Sequence, residues 1–156
     1  MSRQNQQNGY LCGPDEGSQV TEPESRPEIA PGTPMRKVVP PRLVGPYLTG
    51  QRDVLAGFVY RAEDLVFREP AEAYDALGLG FDGSEFTPGM SELHVICWPA
   101  RPVDGYQLRD TTADIPEYFI DPVPIPVGAT MHRVGPEDSE ELVAEYDGLA
   151  WQQVGA

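Results

Sequence analysis

The sequence predicts an α+β domain made mostly of antiparallel sheet, arranged as a meander, a small barrel or a sandwich, with one short helix. Three observations lead to this prediction. Most apolar segments are short and rich in β-branched and aromatic residues, which favours strands. An Asp-Gly pair at 147–148 lies between two such segments, as in a β-hairpin. One segment, residues 70–77, combines good helix formers with a first proline and a following glycine.

Residues 1–45 differ in composition from the rest of the chain. They contain seven prolines and only one of the 14 aromatic residues, Tyr10. Such a segment buries too little apolar surface to offset the entropy of ordering its backbone, about 1–2 kcal/mol per residue. We therefore predict a disordered or extended Pro/Gln-rich tail at 1–45, followed by a compact β-rich domain at 46–156.

Several segments of this domain have the pattern of strands. Residues 55–61 and 92–98 are enriched in β-branched and aromatic side chains. The second of them is apolar on both of its faces, which predicts a central strand. Residues 129–134 and the hairpin at 141–154 are expected to form a three-strand meander. The prolines of residues 121–127 remove backbone donors, so this segment is expected at an edge or in an extended connector.

The predicted hairpin has a two-residue turn at 147–148. This turn places Tyr146 opposite Leu149 and Ala144 opposite Trp151. One face of the hairpin is then mostly apolar, with Trp151 packing over Ala144.

Negative charge is concentrated in the last third of the chain. The whole chain has 25 acidic and 11 basic residues, and residues 110–156 contain ten acidic residues but only one basic residue, Arg133. Binding to nucleic acid requires a basic face, so we expect no direct contact with nucleic acid. No apolar run is long enough for a membrane-spanning helix, and we expect no membrane contact.

We predict that the chain is a non-enzymatic interaction protein that docks a basic protein partner. It would neutralise a basic enzyme or toxin, or mimic nucleic acid toward its binding protein. Dense negative charge accelerates encounter with a cationic protein and makes binding depend on salt. Aromatic side chains in the same region would anchor the contact. The predicted partner-binding residues are Glu137, Asp138, Glu140, Glu141, Tyr118 and Tyr146.

A second hypothesis comes from residues 58–61, Phe-Val-Tyr-Arg, an apolar segment that ends in arginine. It resembles the opening strand of ADP-ribosyltransferase toxins. The resemblance implies a small NAD- or nucleotide-handling enzyme in which Arg61 contacts the phosphates of NAD. That family also has a later Glu-x-Glu or Gln-x-Glu motif, whereas the only Glu-x-Glu of this chain lies upstream, at 22–24. The alternative role of Arg61 is an ion pair with Glu63 or Asp64.

A third hypothesis is a structural or assembly subunit that latches neighbouring molecules with its tail. The sequence contains no glycine-rich phosphate loop that follows a strand and opens a helix, and no recognisable nucleophile motif. We therefore expect no cofactor and favour a protein that is not an enzyme.

Metal binding and disulfide formation are not expected. His94 and Cys97 are three positions apart, so on a strand they point to opposite faces and cannot readily hold one ion. We predict that both residues have packing roles and that there is no metal site. Since Cys12 lies in the predicted tail, no structural disulfide is expected. This absence, together with a polar N-terminus that does not resemble an export signal, predicts a cytoplasmic protein.

Overall fold

An eight-stranded antiparallel sheet forms the centre of the fold in the computed structural model, which describes residues 29–65, 69–77, 79, 86, 89–109 and 115–154. The strands are β1 (Pro34–Val39), β2 (Val54–Arg61), β3 (Leu93–Pro99), β4 (Gln107–Arg109), β5 (Glu117–Pro124), β6 (Thr130–Val134), β7 (Glu140–Tyr146) and β8 (Trp151–Gln153). Two short helices are described, α1 (Pro41–Leu48) and α2 (Pro70–Ala76).

The strand order is β4-β5-β2-β1-β3-β6-β7-β8, and all the described pairings are antiparallel. The sheet is open, with β4 and β8 as its edges, so the prediction of antiparallel sheet is confirmed and the barrel alternative is wrong. The predicted meander is present as β6-β7-β8. Within the described ranges, no helix is long and apolar enough to cross a membrane.

β3 is a central strand, as predicted, because it pairs with β1 on one side and with β6 on the other. Its side chains alternate between two cores. Ile96 and Trp98 belong to a core covered by α1, the α1-side core, whereas Val95 and Cys97 belong to a core covered by α2, the α2-side core. The α1-side core also contains Met35, Val39, Tyr47, Leu55, Val59, Tyr118, Ile120, Met131, Ala144 and Trp151.

The fold begins upstream of the predicted boundary at residue 46. β1 and most of α1 lie inside the segment 1–45, and β1 is a central strand. Composition did not reveal this strand because its apolar residues are interrupted by Arg36 and Lys37, two adjacent charged residues that the sheet buries. The remainder of the predicted tail, residues 1–28, lies outside the described residues.

Helix α2 confirms the predicted helix to within one residue. Pro70 occupies its first position, where a backbone N–H would have no acceptor within the helix. Helix α1 was not predicted, because Gly45 and Pro46 disfavour a helix interior. Its apolar residues nevertheless recur at helical spacing and pack against the α1-side core. These residues are Leu43, Val44, Tyr47 and Leu48.

The proline-rich part of β5 behaves as an edge. β5 pairs with β2 up to Pro124, whereas β4 pairs only with residues 117–119. Pro122 and Pro124 therefore lie beyond the end of β4. No strand pairs with this part of β5 on the β4 side, so the backbone N–H that each proline lacks is not needed there. This arrangement agrees with the edge position predicted for the segment.

The predicted register of the C-terminal hairpin is wrong by two residues. Tyr146 pairs with Trp151, and Ala144 pairs with Gln153. An even shift keeps every side chain on its predicted face, so Trp151 still packs into the core. The position of the turn along the sequence was correct, and only its length differed.

The longer turn has a side-chain cause. Oδ1 of Asp147 accepts hydrogen bonds from the backbone N–H groups of Leu149 (2.8 Å) and Ala150 (2.9 Å). The N–H of Asp147 donates to the carbonyl of Ala150 (3.0 Å). These bonds close a four-residue turn at 147–150, with only Gly148 at positive φ.

A β-bulge in β7 changes which side chains face outward. Met131 pairs with Ala144, but the next residue of β6, His132, pairs with Leu142. Val143 is therefore the extra residue, and it faces the α1-side core together with Ala144. Leu142 is turned to the other face and is exposed.

The expectation that the chain has no structural disulfide is wrong at Cys97. Its side chain is buried, as predicted, but it is disulfide-bonded rather than a free thiol. The only other cysteine of the sequence, Cys12, lies outside the described residues. The prediction of a cytoplasmic location depended partly on the absence of a disulfide, and that premise does not hold.

Candidate functional site

The start of β7 brings together three of the predicted partner-binding carboxylates. Glu140 and Glu141 begin the strand, and Glu137 lies in the preceding 3-10 turn, Pro136–Asp138. All three residues are exposed. Glu92, also exposed, precedes β3 and is close enough to raise the pKa of Arg133 on β6. We call Glu92, Glu137, Glu140 and Glu141 the acidic end.

Two side chains of β6 contact these carboxylates. Nη2 of Arg133 donates to Oε1 of Glu141, and this contact is the main reason that the pKa of Arg133 is raised. Nδ1 of His132 lies 3.0 Å from Oε2 of Glu140. The carboxylates of Glu92 and Glu137 are the members of the acidic end without a described cation at ion-pair distance.

His132 also contacts a hydroxyl group. Its Nε2 lies 3.0 Å from Oγ1 of Thr130, so a hydroxyl, an imidazole and the carboxylate of Glu140 form a chain. The same order of groups activates the nucleophile of many hydrolases. Here β6 is paired on both sides, with β3 and with β7, so its backbone N–H groups are engaged in ladders and do not form an oxyanion hole. We therefore interpret these three hydrogen-bonded side chains as a structural link between β6 and β7.

A pocket of about 230 Å³ opens at the same end of the sheet. It is mostly apolar, with Val39 from β1 and Val44 from α1 among its lining residues, and Glu92 and His94 are the polar ones. Burial lowers the pKa of His94, which favours its neutral form in this apolar site. The other lining residues are Pro41, Phe86, Met90 and Leu93.

The pocket and the acidic end are connected by one cross-strand row. Val39 pairs with His94, His94 with Arg133, and Arg133 with Glu141. Because neighbouring strands are about 5 Å apart, Glu141 lies roughly 10 Å from His94 on the same side of the sheet. An apolar cavity and a group of carboxylates therefore form one continuous surface.

The two predicted tyrosine anchors do not join this surface. Tyr118 is 2% exposed in the α1-side core, where its ring packs edge to face with Tyr106 at 6.4 Å. Tyr146 is half-buried at the far end of β7, with its ring 5.3 Å from that of Trp151. Asp138 contributes its backbone to the 3-10 turn before β7, and nothing is described for its side chain.

Some acidic residues are buried rather than part of a surface. Glu117, in the acidic last third, is 6% exposed and accepts a hydrogen bond from Tyr60, which together with burial raises the pKa of that tyrosine. Asp121 lies on β5, four strands away from β6 in the sheet order. The negative region is therefore narrower than the charge of residues 110–156 suggests.

Arg61 is engaged by neighbouring carboxylates, in agreement with the alternative role considered for it. Its Nε lies 2.8 Å from Oδ2 of Asp64, and its Nη1 lies 3.1 Å from Oε2 of Glu63. A phosphate group of NAD would have to displace these two carboxylates. No contact among the described residues favours the nucleotide hypothesis.

The apolar pocket was missed because one of its walls is α1, which lies in the segment predicted as a tail. The spacing of Leu43, Val44, Tyr47 and Leu48 was the available signal. Comparison of the chain with protein-family models, curated proteins and solved structures found no match.

Proposed function

We propose that this chain is a non-enzymatic interaction domain that docks a basic protein partner at the acidic end. One observation carries the proposal: the apolar pocket lies beside Glu92 and is joined to Glu141 by the row through His94 and Arg133. A large apolar side chain of the partner would fill the pocket. Lysine or arginine residues that flank it would meet the carboxylates.

The two parts of this surface would contribute in different ways. Exposed ion pairs contribute about 0–1 kcal/mol each and are screened by salt. An apolar anchor that becomes fully desolvated in a pocket contributes about 2 kcal/mol or more. We therefore assign most of the affinity to the pocket, and the rate and selectivity of association to Glu92, Glu137 and Glu141.

Two classes of partner have the required basic surface. One is a basic enzyme or toxin that this domain would neutralise. The other is a nucleic-acid-binding protein, toward which the carboxylates would take the place of phosphate groups. In both classes, Arg133 would compete with the partner for Glu141, since these two residues are already paired.

A peptide panel tests this proposal. Full-length protein is titrated against fluorescent arginine-rich peptides that carry a central leucine, and against matched peptides that carry alanine there. We expect the leucine peptides to bind at least about tenfold more tightly, because a filled apolar pocket contributes more than 1.4 kcal/mol. Binding of the leucine peptides should weaken as salt is increased.

Two variants with the same change in net charge provide the control. The first neutralises the surface beside the pocket, and the second neutralises exposed acids elsewhere. We expect only the first to lose binding and salt dependence. Equal losses in both, or equal affinity for leucine and alanine peptides, would contradict the proposal. The first variant is Glu92→Gln, Glu137→Gln and Glu141→Gln, and the second is Asp75→Asn, Asp121→Asn and Glu145→Gln.

A further inference from the structure

The outer edge of β8 is an uncharged strand edge. Among the described residues, β8 pairs with β7 on one side and with no strand on the other. Residues 148–156 contain no charged side chain, in a chain that has 25 acidic residues. Proteins usually protect an exposed edge with a charge or a proline, and β8 has neither, whereas the opposite edge at β4 carries Arg109. The edge of β8 is therefore open to pairing with another strand.

Two hydrogen bonds show which backbone groups of this segment face β7. The N–H of Val154 donates to the carbonyl of Val143 at 2.8 Å, just after the last residue of β8. The N–H of Asp147 donates to the carbonyl of Ala150 at 3.0 Å, just before the first residue. Residues 150 and 154 thus both direct their backbone groups toward β7.

The residues between them alternate. In an antiparallel ladder, the N–H and C=O groups of one residue point to the same side of the strand, and those of the next residue point to the other side. Gln152 therefore faces β7, where it pairs with Glu145. The N–H and C=O groups of Trp151 and Gln153 point outward, away from the sheet.

This spacing of outward groups is complementary to itself. A second copy of β8 can lie antiparallel to the first with the two Gln152 residues opposite each other. Trp151 of each copy is then opposite Gln153 of the other, and each such pair exchanges two hydrogen bonds. Four bonds form, and they use every outward N–H and C=O group of both strands.

We propose that the chain forms a two-fold symmetric homodimer through this antiparallel pairing of β8 with β8 of a second copy. The same register places Val154, which is 45% exposed, opposite the exposed Ala150 of the other copy, so two apolar contacts flank the Gln152 pair. Since residues 148–156 are uncharged, no like charges face each other across the pair.

The contact is isologous, because each copy contributes the same segment, and such a contact closes at two chains. It is also small, so we expect a weak dimer that depends on protein concentration. The contact uses neither the apolar pocket nor the carboxylates of the acidic end. The dimer therefore goes beyond the proposed docking and does not depend on it.

Sedimentation of the full-length protein tests the proposal. Samples cover concentrations from about 10 µM to about 1 mM, the range in which a weak interface associates. We expect the average mass to rise from that of one chain toward that of two. A monomer at every concentration would overturn the proposal. Species larger than a dimer would also overturn it, since they would indicate head-to-tail pairing of β8 with β4.

Two substitutions at one position assign the contact to the edge of β8. Gln153→Pro removes an outward N–H that no bond to β7 uses, whereas Gln153→Ala shortens the side chain and keeps that N–H. We expect the proline variant to dimerise at least about tenfold more weakly, because two of the four bonds are lost. The alanine variant should dimerise like the wild type. Equal association of all three proteins would contradict the assignment to β8.

Amide hydrogen exchange of the wild type gives a test that needs no variant. At low concentration, the N–H groups of Trp151 and Gln153 should exchange fast, and those of Gln152 and Val154 should be protected by β7. At high concentration, all four should be protected, because the second copy accepts the two outward bonds. Fast exchange of Trp151 and Gln153 in the concentrated sample would overturn the proposal.

Discussion

Gly57 lies against the amino group of Lys37, so that a Cβ at residue 57 would stand only 3.4 Å from Nζ. The two residues are on different strands, β2 and β1. The positive φ of Gly57 and the irregular pairing beside it provide the space that a regular strand with a side chain would fill. The fold therefore accommodates a buried amine at a local cost in sheet regularity.

We expect Lys37→Met to raise the free energy of unfolding at pH 7 by about 1–3 kcal/mol, since one pKa unit corresponds to about 1.4 kcal/mol. The pKa of Lys37 is lowered from 10.5 to about 8 in the folded chain, so the unfolded chain binds this proton more tightly. The destabilisation that the buried, protonated Lys37 causes is complete below pH 8 and disappears as the pH rises toward 10.5. Urea denaturation of both proteins at neutral and alkaline pH measures it. An advantage of the same size at both pH values would contradict the lowered pKa.

The buried carboxylate of Asp104 should be among the most sensitive positions of the fold. It accepts hydrogen bonds from Nε1 of Trp98 (3.3 Å), the hydroxyl of Tyr106 (2.6 Å) and the backbone N–H and Nε of Arg101 (both 3.0 Å). We expect Asp104→Ala to lower the free energy of unfolding by about 2–4 kcal/mol, because it leaves the half-buried guanidinium of Arg101 and the hydroxyl of Tyr106 without their acceptor. Chemical denaturation measures the loss. Tyr106→Phe removes the hydroxyl that donates to Asp104 and that accepts from Nε1 of Trp98, and it should cost only about 1–2 kcal/mol because Trp98 keeps Asp104 as an acceptor.

The four-residue turn at 147–150 depends on the side chain of Asp147. Asp147→Ala should lower the melting temperature, because the N–H groups of Leu149 and Ala150 lose their acceptor. Asp147→Asn should retain most of the stability, since its amide oxygen can accept the same bonds.

The contribution of Asp147 should also depend on pH. The hydrogen bonds from the backbone N–H groups of Ala150 and Leu149 lower the pKa of Asp147 in the folded chain. Its stabilising effect is present above the unfolded pKa and is lost as the pH falls through the lower folded pKa. Thermal unfolding of the wild type and the alanine variant at neutral and strongly acidic pH should show the difference shrinking in acid. A constant difference would argue against a role for the charge.

The disulfide at Cys97 predicts the thiol content of the purified protein. Under denaturing but non-reducing conditions, a maleimide reagent should leave Cys97 unlabelled, and after reduction it should label Cys97. A monomer on a non-reducing gel would mean that the bond joins Cys97 to Cys12, because the sequence contains no other cysteine. Complete labelling before reduction would show that Cys97 is a free thiol.

Local patterns in the sequence predicted strands well and their partners poorly. The two apolar faces of residues 92–98 identified β3 as a central strand, and its position between β1 and β6 confirms this. The hairpin register was wrong because backbone preferences suggest a two-residue turn for Asp-Gly, whereas the hydrogen bonds of the Asp147 side chain stabilise a longer one.

The candidate surface was predictable where it is local in sequence. Glu137, Glu140 and Glu141 come together because they are nearly consecutive. Tyr118 is buried, and composition does not reveal this. Which face of the sheet its side chain lies on depends on the strands that flank β5. The apolar pocket was not predictable by composition, because its formation needs α1 to pack beside β1 and β3 at one end of the sheet.

The central position of β1 has a consequence for folding during synthesis on the ribosome. Met35 emerges early in synthesis, but its neighbour in the sheet is Trp98, far along the chain. Contacts between such distant residues slow folding, because a long loop must close before they form. The sheet therefore cannot assemble strand by strand as translation proceeds. The edge of β1 that pairs with β3 must stay unpaired until β3 has left the exit tunnel, and the apolar residues of β1 are open to chaperones during that interval.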